Sequence, residues 1–276
     1  MTSQTKVRLR LISRTLRCVQ LGMCALADIT VVDTPRLERL FLWMIVCRNK
    51  CSRIKIGHAP NLRMLGYLQP GNHELEISNT VIKAGTKMNP STTIPSVQIL
   101  ALDVQFEVRN DVKMVPCFLK CFPNVETLHI YSKNAQNPTG KINLKFWQEA
   151  GNIECVQRHV KKVIFQEFRG TKNELVFLKF IAERAQVLEK MVIMVASECF
   201  SSADDPSAKL KPLSSAKWVS QDSKLIVFNS PVAQSGAPSW HFHLASDFSL
   251  SDPFGLLTAD AELSKGASVV DHPSTP

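Results

Sequence analysis

No apolar run in these 276 residues approaches the roughly 18 needed to span a membrane. The nearest stretch, Leu37 to Cys47, is too short and carries Arg39. A secretory signal is missing as well. The opening MTSQTKVRLRLISRTLR has charges, but neither a following apolar core nor a small-residue cleavage site. Arg and Ser without acids would also suit a transit peptide, yet the apolar spacing there already matches later segments. No Asn-x-Ser/Thr acceptor has a permitted middle residue, because Asn89 and Asn137 both precede proline. Without a secretory signal, Cys18, Cys24, Cys47, Cys51, Cys117, Cys121, Cys155 and Cys199 read as free thiols in a reducing compartment. The expected location is the cytoplasm or nucleus.

Signatures of catalysis are equally scarce. The chain has no phosphate-cradling glycine loop, no nucleophile elbow and no H-E-x-x-H. Asp204 and Asp205 are paired acids, but they sit in a polar stretch and read as solvated. Cys47/Cys51 and Cys117/Cys121 stand four apart and could share a helical face, while His241 and His243 could share a strand face. Zinc sites show tighter pairs with matched partners, and His58 and His129 keep no regular spacing to the cysteines. The expectation is a non-enzyme without catalytic residues, metal or cofactor.

What is present is an ordinary soluble composition, 45 % hydrophobic and 21 % charged. A chain of this length can bury roughly three quarters of its unfolded surface and needs no metal or disulfide to fold. The net charge of +9 is uneven: residues 1–70 hold 12 Lys and Arg against 3 acids, and residues 201–276 hold 5 against 8. A basic surface for an acidic partner or nucleic acid is one reading of that asymmetry. No aromatic platform or nucleic-acid motif accompanies it, so cations filling solvent-facing positions are the preferred reading.

One phrase, apolar-x-x-apolar-x-apolar, runs through most of the chain. Its copies are Leu16/Val19/Leu21, Leu37/Leu40/Leu42, Leu62/Leu65/Tyr67, Val97/Leu100/Leu102, Val125/Leu128/Ile130, Val160/Val163/Phe165 and Leu188/Met191/Ile193. Pro35, Pro60, Pro95 and Pro123 each stand two residues before a copy. A second regularity aligns Ile29-x-Val31 with Ile54-x-Ile56, and Leu75-x-Ile77 begins a third copy. Periods of twenty-odd residues with L-x-x-L-x-L mark a leucine-rich-repeat solenoid, with one strand per turn. An α/β domain with several strands of similar length is the alternative.

Connections between the strands read as short helices or turns. Pro116 suits the first position of a helix over Cys117–Cys121, and Asn143 suits the cap of Leu144–Ala150. Loops are expected at Lys83–Pro95 and Lys133–Lys141. The stretch from Val160 to Val195 reads as strand, helix, strand, a crossover between parallel strands, with Thr171 and Glu174 forming a capping box. Ser201–Lys211 reads as a loop and Lys224–Asn229 as a last strand. Trp240, Phe242, Phe248 and Phe254 read as residues packing back on the body, and the chain from Thr258 onward as disordered.

Phe168-Arg169-Gly170-Thr171, followed by Glu174-Leu175, Phe180-Ile181, Ala185 and Val187-Leu188-Glu189-Lys190-Met191, resembles the core of the FBD domain in plant F-box proteins with leucine-rich repeats. Phe118 to Leu128 is similar to the repeat preceding FBD there, and Phe146-Trp147-Gln148-Glu149 with Ile153-Glu154-Cys155-Val156 is similar to the linker. The resemblance implies an α/β fold: an irregular solenoid of mainly parallel strands over 1–140 and an FBD-like domain over 141–200, core 157–195. A C-terminal extension over 201–257 would pack on the body, before a disordered tail at 258–276. It also implies a non-catalytic, substrate-recognising role in a cullin-RING ubiquitin ligase, with a protein target as partner. Skp-type adaptor binding is not expected, since no F-box precedes Leu16. A nucleic-acid-binding repeat protein is the alternative, as is a truncated family member with no ligase role. Candidate exposed positions on the strands are Arg36, Glu38, Arg39, Arg63, Glu126 and His129.

Overall fold

Four prolines open four strands that stand side by side in one sheet. The computed structural model describes residues 7–43, 52–135, 137–140, 144–196, 206–229, 242–254 and 268–270. Within it Pro35, Pro60, Pro95 and Pro123 each occupy the second position of a turn. The turns close by hydrogen bonds from Leu37 N–H to the Thr34 carbonyl (3.0 Å), Leu62 to Ala59 (3.2 Å), Val97 to Ile94 (3.3 Å) and Val125 to Phe122 (3.4 Å). Proline's fixed φ suits that position, and the closing residue is the buried first apolar residue of the phrase. Asn61 and Asn124, next to the later prolines, each donate a side-chain N–H to the carbonyl of the proline one coil earlier, Pro35 and Pro95.

The chain runs through β1 (Arg8–Ile12), β2 (Cys18–Gly22), β3 (Asp28–Asp33), β4 (Arg39–Trp43), β5 (Ser52–His58) and β6 (Met64–Leu68). It continues with β7 (His73–Ile77), β8 (Thr80–Val81), β9 (Ile99–Val104), α1 (Arg109–Lys120) and β10 (Thr127–Ser132). Then come α2 (Leu144–Glu149), α3 (Glu154–Arg158), β11 (Lys162–Phe168), α4 (Lys172–Ala182) and β12 (Lys190–Val195). The last elements are α5 (Pro206–Ser214), β13 (Lys224–Asn229), α6 (Phe242–Ser246) and β14 (Ser268–Val270).

The strands form two open sheets. The larger has the order β14-β13-β12-β11-β10-β9-β6-β4-β2, all parallel except β14. Across its eight parallel strands Val19, Leu40, Leu65, Leu100, Leu128, Val163, Met191 and Leu225 stand side by side in register. All eight are buried. The first seven of these are the middle residues of the recurring phrase, and Leu225 of β13 extends the ladder by one strand. The crossover unit behaves as expected too: β11 and β12 are parallel, with Val163 opposite Met191 and Phe165 opposite Ile193.

The smaller sheet, β1-β3-β5-β7-β8, changes the expected repeat. Its strands come from the second regularity: Ile29, Ile54 and Leu75 are neighbours, as are Val31, Ile56 and Ile77. All six are buried at 0–2 % exposure. The first four coils therefore carry a strand in each sheet, not one strand and a turn, with the short β8 added in the fourth. Alternating β-branched residues drive this, since they bury one face of a strand. From α1 onward helices take the place of the small sheet. Phe106, Trp147, Phe165, Phe177 and Phe180 fill the space beneath them, with ring centroids 5.1–6.4 Å apart.

Several local readings need correction. Pro116 lies inside α1, which begins seven residues earlier. Val112, Val115, Phe118 and Leu119 bury one face of that helix, offsetting the hydrogen bond proline cannot make. Residues 206–211, read as loop, belong to α5, anchored by buried Leu210 and Leu213. Ser268–Val270, read as disordered, pairs antiparallel with β13. Tyr67 was expected inward as the third residue of its phrase, but β6 bulges after Leu65, so Leu68 pairs with Leu102 instead. One extra residue reverses which side chain faces the core, and Tyr67 turns to the outer face. Gly66 permits the bulge: a Cβ there would come within 2.5 Å of Ala101 Cβ and 2.7 Å of its carbonyl oxygen.

Candidate functional site

Residues that immediately precede the large-sheet strands line up as Arg17, Glu38, Arg63, Gln98, Glu126, Lys161 and Glu189. Each of the later six donates its backbone N–H to the carbonyl of the one before. Their side chains pair along the row: Arg17 Nε to Glu38 at 2.6 Å, Arg63 to Gln98 at 2.8 Å, Lys161 Nζ to Glu126 at 2.9 Å. Three of the candidate exposed positions, Glu38, Arg63 and Glu126, are therefore brought together here, with Arg36 exposed in the adjoining turn. Half-exposed pairs of this kind contribute little stability. They present a polar edge of alternating sign.

The outer face of the small sheet is also charge-matched. Strand register places Arg8, Asp28, Arg53 and Glu74 in one row and Arg10, Thr30, Lys55 and Glu76 in the next. Arg53 meets Glu74 at 2.7 Å, and Lys55 meets Glu76 at 2.8 Å. Arg17, Arg53 and Lys55, three of the 12 cationic residues in the first 70, thus stand in ion pairs with carboxylates.

Two other candidates, Arg39 and His129, were expected to be exposed and are not. They are 4 % and 0 % exposed. Alternation along β4 and β10 does turn both to the outer face of the large sheet, but residues 242–254 lie over it. Arg39 Nη1 donates to the carbonyls of Ala245 and Asp247, both at 2.9 Å, and Nη2 to that of Leu250 at 2.6 Å. The Arg17 and Arg39 guanidinium groups stand 3.8 and 4.5 Å from the Phe248 ring centroid. Phe254 enters a socket of Phe41 (4.9 Å), Tyr67 (5.3 Å) and His129 (5.1 Å), edge-on to the first two. His129 Nε2 lies 2.9 Å from Asp252 Oδ2.

The electrostatics follow from this burial. Burial alone would push the Asp252 carboxyl up, but the charge and hydrogen bond of His129, with Lys162 and the Phe254 N–H, hold it below its ordinary value. With Asp252 ionised, His129 Nε2–H donates to it. Burial pulls the Arg39 pKa below its ordinary value, against the opposing pull of Cys18, Glu38 and Asp247. Tyr67 is pushed up by burial first, then by the charges of Asp252 and Asp103.

The Phe-Arg-Gly-Thr block forms a junction between β10, β11 and α4. Gly170 takes φ +74°, the left-handed turn into the helix. Thr171 caps α4, accepting from Glu174 N–H at 3.3 Å, and Glu174 accepts in return from Thr171 N–H at 2.8 Å. Glu174 is 1 % exposed and also accepts from Ser132 Oγ at 2.5 Å and Arg169 N–H at 3.2 Å. Arg169 Nη1 donates to the Ser132 and Glu167 carbonyls. Every specific residue of the block is engaged in holding the chain, which makes the motif architectural.

Two family models match the chain. That of the LRR repeats of FBD-associated F-box protein At5g56370 covers residues 1–130, and the FBD model covers residues 148–193. This chain is a leucine-rich-repeat/FBD protein. No curated protein and no solved structure matches it. The FBD match in this leucine-rich-repeat/FBD protein runs from the end of α2 into β12 and contains the Arg169–Glu174 junction.

Its remaining candidates among the described residues do not assemble into a site. Cys121 Sγ donates to the Cys117 carbonyl at 3.2 Å, and burial pushes its thiol up to about 12. His58 is exposed, and His243 is exposed on the short helix α6, not on a strand. Cys47, Cys51, Asp204, Asp205 and His241 lie outside the described residues. Among the described residues no group of His, Cys, Asp and Glu is placed to hold a metal, and no helix is long and apolar enough to cross a membrane. Sequence reasoning missed Phe41 and Tyr67 as members of the outer-face socket. The only signal for Phe41 was an aromatic side chain at an outward strand position; Tyr67 gave none, because its place in the phrase is an inward one.

Proposed function

We propose that this leucine-rich-repeat/FBD protein is a non-catalytic protein-interaction module, the target-recognising part of an F-box-type receptor for a cullin-RING ubiquitin ligase. One observation supports this reading above the others. Eight parallel strands, aligned at their starts, hold a polar strand-start row beside an outer face, a surface on which side-chain choice can select a protein. The two F-box-associated family matches point the same way. Adaptor docking in such receptors belongs to the F-box, so this chain supplies the target side, in the cytoplasm or nucleus. Charge-matched rows on the small sheet disfavour a nucleic-acid platform.

The test is photo-crosslinking from Arg36 and Arg63 in cells, followed by salt titration of the captured complex. The reading expects a discrete protein whose capture falls at least tenfold with Glu38→Arg and Glu126→Arg at unchanged melting temperature. It expects Skp-type adaptor retention only after an F-box is fused upstream. Capture of nucleic acid, with affinity collapsing as salt rises, would overturn it.

A further inference from the structure

The segment over the outer face resembles a bound peptide more than a packed element. Of the side chains of residues 243–254, Ala245, Pro253 and Phe254 alone are buried. Most of the hold is polar. Arg39 takes three backbone carbonyls, which any sequence can offer, and Cys18 Sγ donates to the Ala245 carbonyl at 3.5 Å. Side-chain selectivity rests on three contacts: Asp252 on His129, Phe254 in the socket of Phe41, Tyr67 and His129, and the Phe248 ring against the Arg17 and Arg39 guanidinium groups. A strand face lined by buried cationic and aromatic groups, and reading main-chain carbonyls, has the chemistry of a peptide groove.

We infer that the outer face of β4, β6 and β10 is a docking groove for a short peptide segment of another protein, carrying an acidic residue two positions before an aromatic one. Residues 243–254 are its resident, displaceable occupant. The inference deepens the interaction reading above and rests on it. The occupant's chemistry is set by complementarity: a carboxylate for His129, a ring for the Phe41–Tyr67 socket, and a helical turn followed by tight turns whose carbonyls meet Arg39. Tethering gives the resident segment an effective concentration on the order of millimolar. A partner peptide therefore binds the closed chain weakly and the opened chain well.

The experiment uses the full chain and a fluorescein-labelled synthetic peptide, HLASDFSLSDPF, read by anisotropy. In the chain bearing Asp252→Ala and Phe254→Ala, the peptide should bind at least tenfold tighter than in wild type. Adding Phe41→Ala or His129→Ala should weaken that binding tenfold or more. A peptide altered at its Asp-Pro-Phe end should lose binding. Equal peptide affinity for opened and wild-type chains, with melting unchanged, would overturn the groove while leaving the crosslinking test of the interaction reading intact. Exchange of the segment between copies, seen as a concentration-dependent doubling of mass, would also overturn it. Hydrogen exchange on the wild-type chain guards against a misfolded variant. Amides of 243–254 should exchange at least tenfold faster than those of β9 and β10, and exchange only on global unfolding would sink the proposal.

Discussion

Replacing Glu174 by alanine should cost about 3 kcal/mol, a large share of a typical domain's stability. The side chain is 1 % exposed and accepts from Ser132 Oγ, Thr171 N–H and Arg169 N–H. Alanine strands all three donors. Stranded buried donors cost about 1–3 kcal/mol each, and the removed carboxylate leaves a small void. Part of that loss is recovered, because burial disfavours the ionised carboxylate and raises its pKa. Glu174→Gln keeps one carbonyl acceptor and should cost about half as much. Glu149, whose side chain is 66 % exposed, provides the control, and its alanine variant should change stability by less than about 0.5 kcal/mol. Urea unfolding followed by far-ultraviolet circular dichroism gives all three values. A Glu174→Ala loss below about 1 kcal/mol would refute the reading of the Phe-Arg-Gly-Thr block as an architectural junction.

Two further perturbations follow. Asp103, pushed to about 6 by burial and by neighbouring Asp111 against the pull of Lys133, holds a proton in the folded chain that the unfolded chain releases from about pH 3.8 upward. Stability should therefore fall as pH rises from about 4 to 6, by about 2–3 kcal/mol from this group. Asp103→Asn should flatten that slope and stabilise the chain at pH 7; an unchanged slope in pH-dependent urea titrations would contradict this. Gly66→Ala should lower stability by about 1–3 kcal/mol in thermal melts, because its Cβ would press on the Ala101 backbone, and a neutral result would count against the bulge.

The large sheet was legible because its information is local. A buried first residue and inward apolar residues recur from coil to coil, four of the coils opening on a proline turn, and register follows from the stacking of similar phrases. The small sheet was half legible: its alternating pattern at Ile29/Val31, Ile54/Ile56 and Leu75/Ile77 was visible, but not that it meant a second strand. Tyr67 was misplaced because the slip at Gly66 depends on the approach of Ala101, which nothing near residue 66 encodes. Arg39 and His129 were placed on the correct face with the wrong exposure. Their cover arrives 206 and 123 residues later, and no local pattern reports a contact of that span. The helix α5 escaped for a related reason, since among its described side chains Leu210 and Leu213 are the buried apolar anchors in a polar stretch.

A double-mutant cycle between Phe41 and Phe254 tests the occupied outer face most directly. The rings meet edge-on at 4.9 Å, across more than 200 residues of sequence. Unfolding free energies of the two single alanine variants and the double variant should show a coupling of about 0.5–1.5 kcal/mol. Additive losses would contradict a C-terminal segment seated on the large sheet.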